Sequence, residues 1–279
     1  MPYFDFEGFQ LAYTIYGEGN RTLVLIHGQL LNQRMHEPLA RDLARRGNRV
    51  ITLDLLGHGR SDRPQDQWRY TFGLYAQQVV ALLDHLDIDE AVIGGTSLGA
   101  NVTLEVAMAA PERCRGLIVE MPVLDNGILA AVQTFTPLLL TLKYGRPLVS
   151  ALRFALTPIP RGPLPLVGKI ALDAIRQDHA ASPAILTGQM MGRIAPDHPT
   201  RMTIDIPTLV IGHPGDPVHP LADAQLLTSE MPRARLVEAN NILEMRLYPE
   251  RLTGEIADFL QAAWRPKRAR AARRRRKAG

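Results

Sequence analysis

One stretch constrains this chain more than any other: Ala91-Val92-Ile93-Gly94-Gly95-Thr96-Ser97-Leu98-Gly99-Ala100. A β-branched run enters a glycine pair, a single serine follows, and an apolar helical pattern leaves. Strand, tight turn and helix in that order expose the serine hydroxyl on a strained backbone. Gly95 and Gly99 flank Ser97 at two residues on either side. A Cβ at either position would collide with the neighbouring strand or helix.

The pattern before and after this turn is that of strands alternating with helices. Tyr3–Phe6 and Leu11–Tyr16 read as a hairpin turning at Glu7-Gly8, and Thr22–Ile26 as a strand apolar on both faces. Pro38–Arg46 follows as a helix, Val50–Leu53 as a strand and Thr71–Leu86 as an amphipathic helix. Glu90–Gly94 enters the serine turn, Leu98–Ala110 leaves it as a helix, and Arg115–Glu120 is a further strand. Alternation returns with Thr208–Ile211, Arg235–Glu238 and the helix Pro249–Trp264. A mostly parallel sheet flanked by helices is expected. Residues 126–204 hold no clear strand and are expected to form a helical cap inserted between 1–125 and 205–264.

Composition narrows the class. Of 279 residues, 46% are hydrophobic and 22% charged, enough for a sizeable core. The single cysteine, Cys114, excludes an internal disulfide and suits a reducing compartment. No secretory leader or bilayer-spanning run is read, so a cytoplasmic protein is expected. The formal charge of +4 is uneven: 265–279 carries nine cations and no acid, leaving −5 for residues 1–264. That tail is expected to be disordered and solvated, or to tether the chain to an anionic membrane surface or nucleic acid. No Cys/His spacing suggests zinc, the G-x-G-x-x-G dinucleotide spacing is absent, and no cofactor is expected.

Four motifs then agree in order: His27-Gly28 after the third strand, Asp54-Leu55-Leu56-Gly57-His58-Gly59-Arg60-Ser61 after the fourth, Gly95-Thr96-Ser97-Leu98-Gly99, and Gly212-His213-Pro214-Gly215-Asp216. This ordered set resembles the α/β-hydrolase fold superfamily, in its serine esterase and lipase-like form. The resemblance covers about 1–125 and 205–264 and implies roles residue by residue. Ser97 would be the nucleophile and Asp216 the triad acid, and the backbone N–H groups of Gln29 and Leu98 would form the oxyanion hole.

One part is out of place. A serine hydroxyl needs a base within hydrogen-bond reach. The family carries that base, a histidine, in the loop after the last strand. Here that loop is Glu238–Met245, and no histidine follows His219. His219, three residues after Asp216, is the preferred base; His213, three before it, is the second candidate, and His179 and His198 are weaker ones. Glu244 would serve only if burial raised its pKa. Glu120 ends a strand where some relatives keep an alternative acid. Epoxide or haloalkane hydrolysis in this fold needs a carboxylate at position 97. The expected function is hydrolysis of a carboxylic ester or thioester of a largely apolar small molecule. The alternatives are an inactive member that binds an apolar ligand, or an acyltransferase. Phe135–Leu142 and Leu148–Leu156 would either line the cleft or only pack the cap on the core.

Overall fold

The computed structural model describes residues 2–176 and 178–265, so nearly all of the basic tail read at 265–279 lies outside the described residues. Eight strands form one sheet: β1 Tyr3–Phe6, β2 Phe9–Tyr16, β3 Arg21–Ile26, β4 Asn48–Leu53, β5 Ala91–Thr96, β6 Cys114–Glu120, β7 Thr208–Gly212 and β8 Ala234–Glu238. Their helices are α1 Glu37–Arg45, α2 Phe72–His85 and α3 Leu98–Ala109; then α4 Ile128–Tyr144, α5 Arg146–Leu156, α6 Leu166–Arg176, α7 Ser182–Met190 and α8 His198–Thr203; and finally α9 Leu221–Glu230, α10 Glu244–Leu247 and α11 Glu250–Ala263.

The strand order is β1-β2-β4-β3-β5-β6-β7-β8. The β1–β2 and β2–β4 pairs are antiparallel and the remaining pairs parallel. One apolar core unites Val24, Ile26, Tyr75, Val79, Leu104 and Leu227 under α2, α3 and α9. The other unites Leu23, Leu25, Leu43, Leu252 and Ile256 under α1 and α11. Strands buried on both faces explain why β3, β5 and β6 read as continuous apolar runs. The chain leaves β3 for β4 across one face and returns to β5 across the other. The loops after β3 and β5 therefore part and leave a crevice at the carboxyl ends of the strands, the usual ligand position in such sheets.

The strand and helix expectations hold within a residue or two at most boundaries. Outside the insertion, α9 and the single turn α10 have no counterpart in the sequence pattern. The buried face of α9 carries Asp223 and Glu230 beside Ala224 and Leu227, which breaks the apolar period. These acids are tolerated because they are paired. Asp223 accepts from the amides of Leu124, Asn126 and Gly127 at 2.6, 2.9 and 2.9 Å, and so anchors the start of the insertion. Among the described residues of 126–204 no strand forms, and α4 to α8 occupy the segment. No described helix is long and apolar enough to cross a membrane.

Candidate active site

Ser97 stands between β5 and α3 with φ 56° and ψ −112°. A non-glycine residue at positive φ is strained and persists only where its surroundings hold it. Here the Ser97 amide donates to the Glu120 carbonyl at 2.9 Å, and the Ser97 carbonyl accepts from the Asn101 amide at 3.1 Å. The flanking glycines are compelled by contact. A Cβ on Gly95 would lie 2.4 Å from the Gly99 carbonyl carbon, and one on Gly99 would lie 2.2 Å from the Ile26 carbonyl oxygen.

His219 reaches this serine. Its Nε2 is 2.8 Å from Ser97 Oγ and its Nδ1 is 3.0 Å from Asp216 Oδ2. The other carboxylate oxygen, Oδ1, accepts from the amides of Val218 and His219 at 2.8 and 2.9 Å. Burial opposes the charge on Asp216, but the hydrogen bonds and charge of His219 hold its carboxyl below the usual value. With Nδ1–H donated to the carboxylate, the Nε2 lone pair faces the serine hydroxyl. Ser97, Asp216 and His219, singled out in the sequence, are thus brought together by three contacts.

Gln29 and Leu98 border the same cavity as Ser97. Leu98 is the first residue of α3, where an amide has no intrahelical carbonyl partner. The turn carrying Gln29 lies close as well: a Cβ on Gly28 would sit 3.9 Å from Ser97 Cβ. That turn is fixed by Leu31 N–H donating to the Gly28 carbonyl at 3.1 Å and by Asp54, which accepts from the Gln33 amide at 2.7 Å. Two histidines support it. His27 Nε2 accepts from the Leu55 amide at 3.2 Å, and the His58 ring packs on it at 4.7 Å between centroids. Burial lowers the pKa of His27 and holds that of His58 well below its ordinary value.

The other candidate bases go elsewhere, which corrects the wider list. His213 is fully buried; its Nε2 stands 3.2 Å from Glu120 Oε1 and its Nδ1 3.2 Å from the Asn241 carbonyl. Glu244 makes an ion pair with Arg251 at 2.7 Å, which lowers its pKa, the reverse of what a carboxylate base requires. His198 pairs with Glu230 at 2.6 Å, and His179 lies 3.1 Å from Ser182 Oγ. Behind the elbow, Glu120 also takes Arg246 at 3.0 Å and the Thr96 hydroxyl. Against the desolvation of burial, the Arg246 guanidinium and His213 hold the Glu120 carboxyl well below the carboxylate range.

The cavity over Ser97 measures about 480 Å³. Its apolar wall includes Phe72, Val123, Ile128, Val132, Phe135 and Leu186. The first apolar stretch of the insertion thus contributes Phe135, whereas no residue of Leu148–Leu156 borders the cavity. A larger cavity of about 870 Å³ lies at the other end of the sheet between α3, α8 and α11, and none of the three site residues borders it. No group of His, Cys, Asp or Glu among the described residues could hold a metal ion.

Comparison with known proteins agrees with this architecture. The family described as alpha/beta hydrolase fold matches residues 21–152. The dihydrolipoyllysine-residue acetyltransferase component of the acetoin cleaving system of Pseudomonas putida is 43% identical over 105 residues, 36% of this chain and 26% of that protein. A haloalkane dehalogenase of Mycolicibacterium paratuberculosis is 30% identical over 115 residues, 41% of this chain and 36% of that protein. The chain therefore spans only about a quarter to a third of these relatives. Among solved structures, a hydrolase from Pseudomonas aeruginosa superposes with a TM-score of 0.76 at 21% identity, over 93% of this chain and 97% of the other. The enol-lactonase from Burkholderia xenovorans does so with a TM-score of 0.73 at 23% identity, over 93% and 100%. On its eight-stranded sheet, its serine turn and these matches, the chain has the α/β-hydrolase fold.

Proposed function

We propose that this protein is a serine hydrolase that cleaves a carboxylic ester or thioester of a largely apolar, uncharged small molecule. One observation carries the reading: His219 bridges Ser97 Oγ at 2.8 Å and Asp216 at 3.0 Å. Ser97 Oγ attacks the substrate carbonyl carbon and its proton passes to His219 Nε2. The resulting oxyanion lies against the Leu98 and Gln29 amides, where the N-terminus of α3 adds positive potential. The C–O or C–S bond breaks, and the leaving group takes the proton from His219. Water, deprotonated by His219, then attacks the acyl carbon and releases Ser97 with its proton. Asp216 orients the ring and stabilises its charged form throughout.

The cavity supports an uncharged substrate. Its two arginines are already neutralised: Arg193 by Glu105 at 2.8 Å, Arg201 by Asp125 at 3.0 Å and by Glu230. Asp197 adds a further negative charge to the lining. A carboxylate on the substrate would find no unpaired cation there. The likeness to a haloalkane dehalogenase does not extend to carbon–halogen chemistry, because position 97 is serine.

The test is labelling with a fluorophosphonate, read by intact mass on wild type and Ser97→Ala. One adduct on wild type and none on the variant is expected. Failure of the wild type to react rejects the reading.

A further inference from the structure

The insertion has an unusual charge distribution. Residues 126–172 contain no Asp or Glu and carry Lys143, Arg146, Arg153, Arg161 and Lys169. Residues 1–264 total −5, so the remainder of that body carries −10 and this one segment +5. The same segment exposes its apolar side chains. On α5, Leu148, Leu152 and Phe154 are 72%, 48% and 83% exposed, and Tyr144 at the end of α4 is 72% exposed. No residue of α5 is buried. Folding alone gives no reason for a helix to carry such residues outward, since each would stabilise the protein more if covered.

We propose that the α4–α5 tip, Leu140 to Phe154, is an interfacial docking surface for an anionic lipid bilayer. Apolar side chains in an acid-free stretch of sequence, rimmed by Lys143 and Arg146, suit the boundary between acyl chains and negatively charged headgroups. Tyr144 carries a polar tip on an apolar ring, and Lys143 Nζ lies 5.5 Å from its centroid, so ring and charge are presented together. Lys143, Arg146 and Lys169 have no carboxylate partner among the described residues. Arg153 reaches Asp178 only at 3.9 Å.

A second copy of the chain is a poorer occupant. A two-fold interface sets the same patch against itself. Here it would set Lys143 and Arg146 against their own copies, with Asp178 already beside Arg153 at 3.9 Å. The surface also differs from the basic tail in both sequence and chemistry, because the tail carries no large apolar or aromatic side chain between its arginines, only alanines and Pro266. Pro137, inside α4, divides that helix between a half walling the cavity over Ser97 and a half at this surface.

The experiment is flotation of the full chain with vesicles of phosphatidylcholine alone and of phosphatidylcholine with about a third phosphatidylglycerol. Three full-length proteins are compared: wild type; Leu148→Ser/Leu152→Ser/Phe154→Ser; and a tail variant with Arg273, Arg274, Arg275 and Arg276 replaced by Gln. The side chains at 148, 152 and 154 are already exposed, so an unchanged thermal midpoint verifies folding of the triple variant. Wild type and the tail variant should float with the anionic vesicles, and the triple-serine variant should partition at least tenfold more weakly. Binding to phosphatidylcholine alone should be weak, and binding to the anionic vesicles should fall as salt rises. The proposal is overturned if wild type does not float, or if the tail variant loses all binding. It is equally overturned if the triple variant floats like wild type, or if sedimentation shows a dimer that the triple variant dissociates.

Discussion

Two histidine–carboxylate pairs lie within reach of the serine turn, and they differ in what surrounds them. In the loop after β7, His219 keeps a carboxylate on one nitrogen and a serine hydroxyl on the other. Its side chain is 15% exposed. Buried at the same end of the sheet, His213 faces Glu120 at 3.2 Å with no exposure. There Arg246 and the Thr96 hydroxyl also claim the carboxylate. The first ring faces the serine hydroxyl; the second is enclosed between Glu120 and the Asn241 carbonyl. Proximity of an imidazole to a carboxylate is therefore not the mark of a base. What counts is which group the second ring nitrogen faces and whether substrate can arrive.

The largest expected effect separates the two pairs directly. His219→Ala should lower kcat/KM for a p-nitrophenyl ester by on the order of 10³-fold or more, while His213→Asn should lower it by less than about tenfold. Equal losses would break the distinction. Next is the buried pair. Arg246→Met leaves the Glu120 carboxylate uncompensated and should cost on the order of 3–5 kcal/mol in urea unfolding. Adding Glu120→Gln to it should recover much of that loss. Because the folded pKa of Glu120 is depressed, its contribution is present above the ordinary carboxylate range and fades as pH falls through and below it.

A smaller effect tests the histidines that support the fold. Burial, with the Arg246 charge, lowers the pKa of His36 to about 4, and its Nε2 lies 3.0 Å from the Ile26 carbonyl. The unfolded chain binds a proton near 6.5, so stability should fall as pH drops from 7 toward 4, by roughly 3 kcal/mol for this residue. His36→Gln should flatten that acid limb of the urea midpoint, and an unchanged slope would place the cost elsewhere.

Most of the sheet was legible because buried parallel strands leave continuous apolar runs and glycine or proline marks their ends. What escaped has a common cause. Asp223 and Glu230 disguise α9 because their partners, the 124–127 amides and Arg201, lie far away in sequence. Glu244 reads as an available carboxylate until Arg251 is folded against it. Leu148–Leu156 has the composition of a buried helix but no residue that is buried. In each case a long-range partner, or the lack of one, decides the outcome, and local pattern carries no record of it.

The serine elbow itself was determined by sequence alone. Its strand, its two glycines and its outgoing helix are adjacent in sequence, and the contact between Gly95 and Gly99 is local; only the approach of Gly99 to Ile26 on β3 needs the fold. The choice of its partner was not local. His213 and His219 are equally spaced, three residues either side of Asp216. Only the packing of β7 beside β6 turns the first inward onto Glu120 and leaves the second facing Ser97 Oγ.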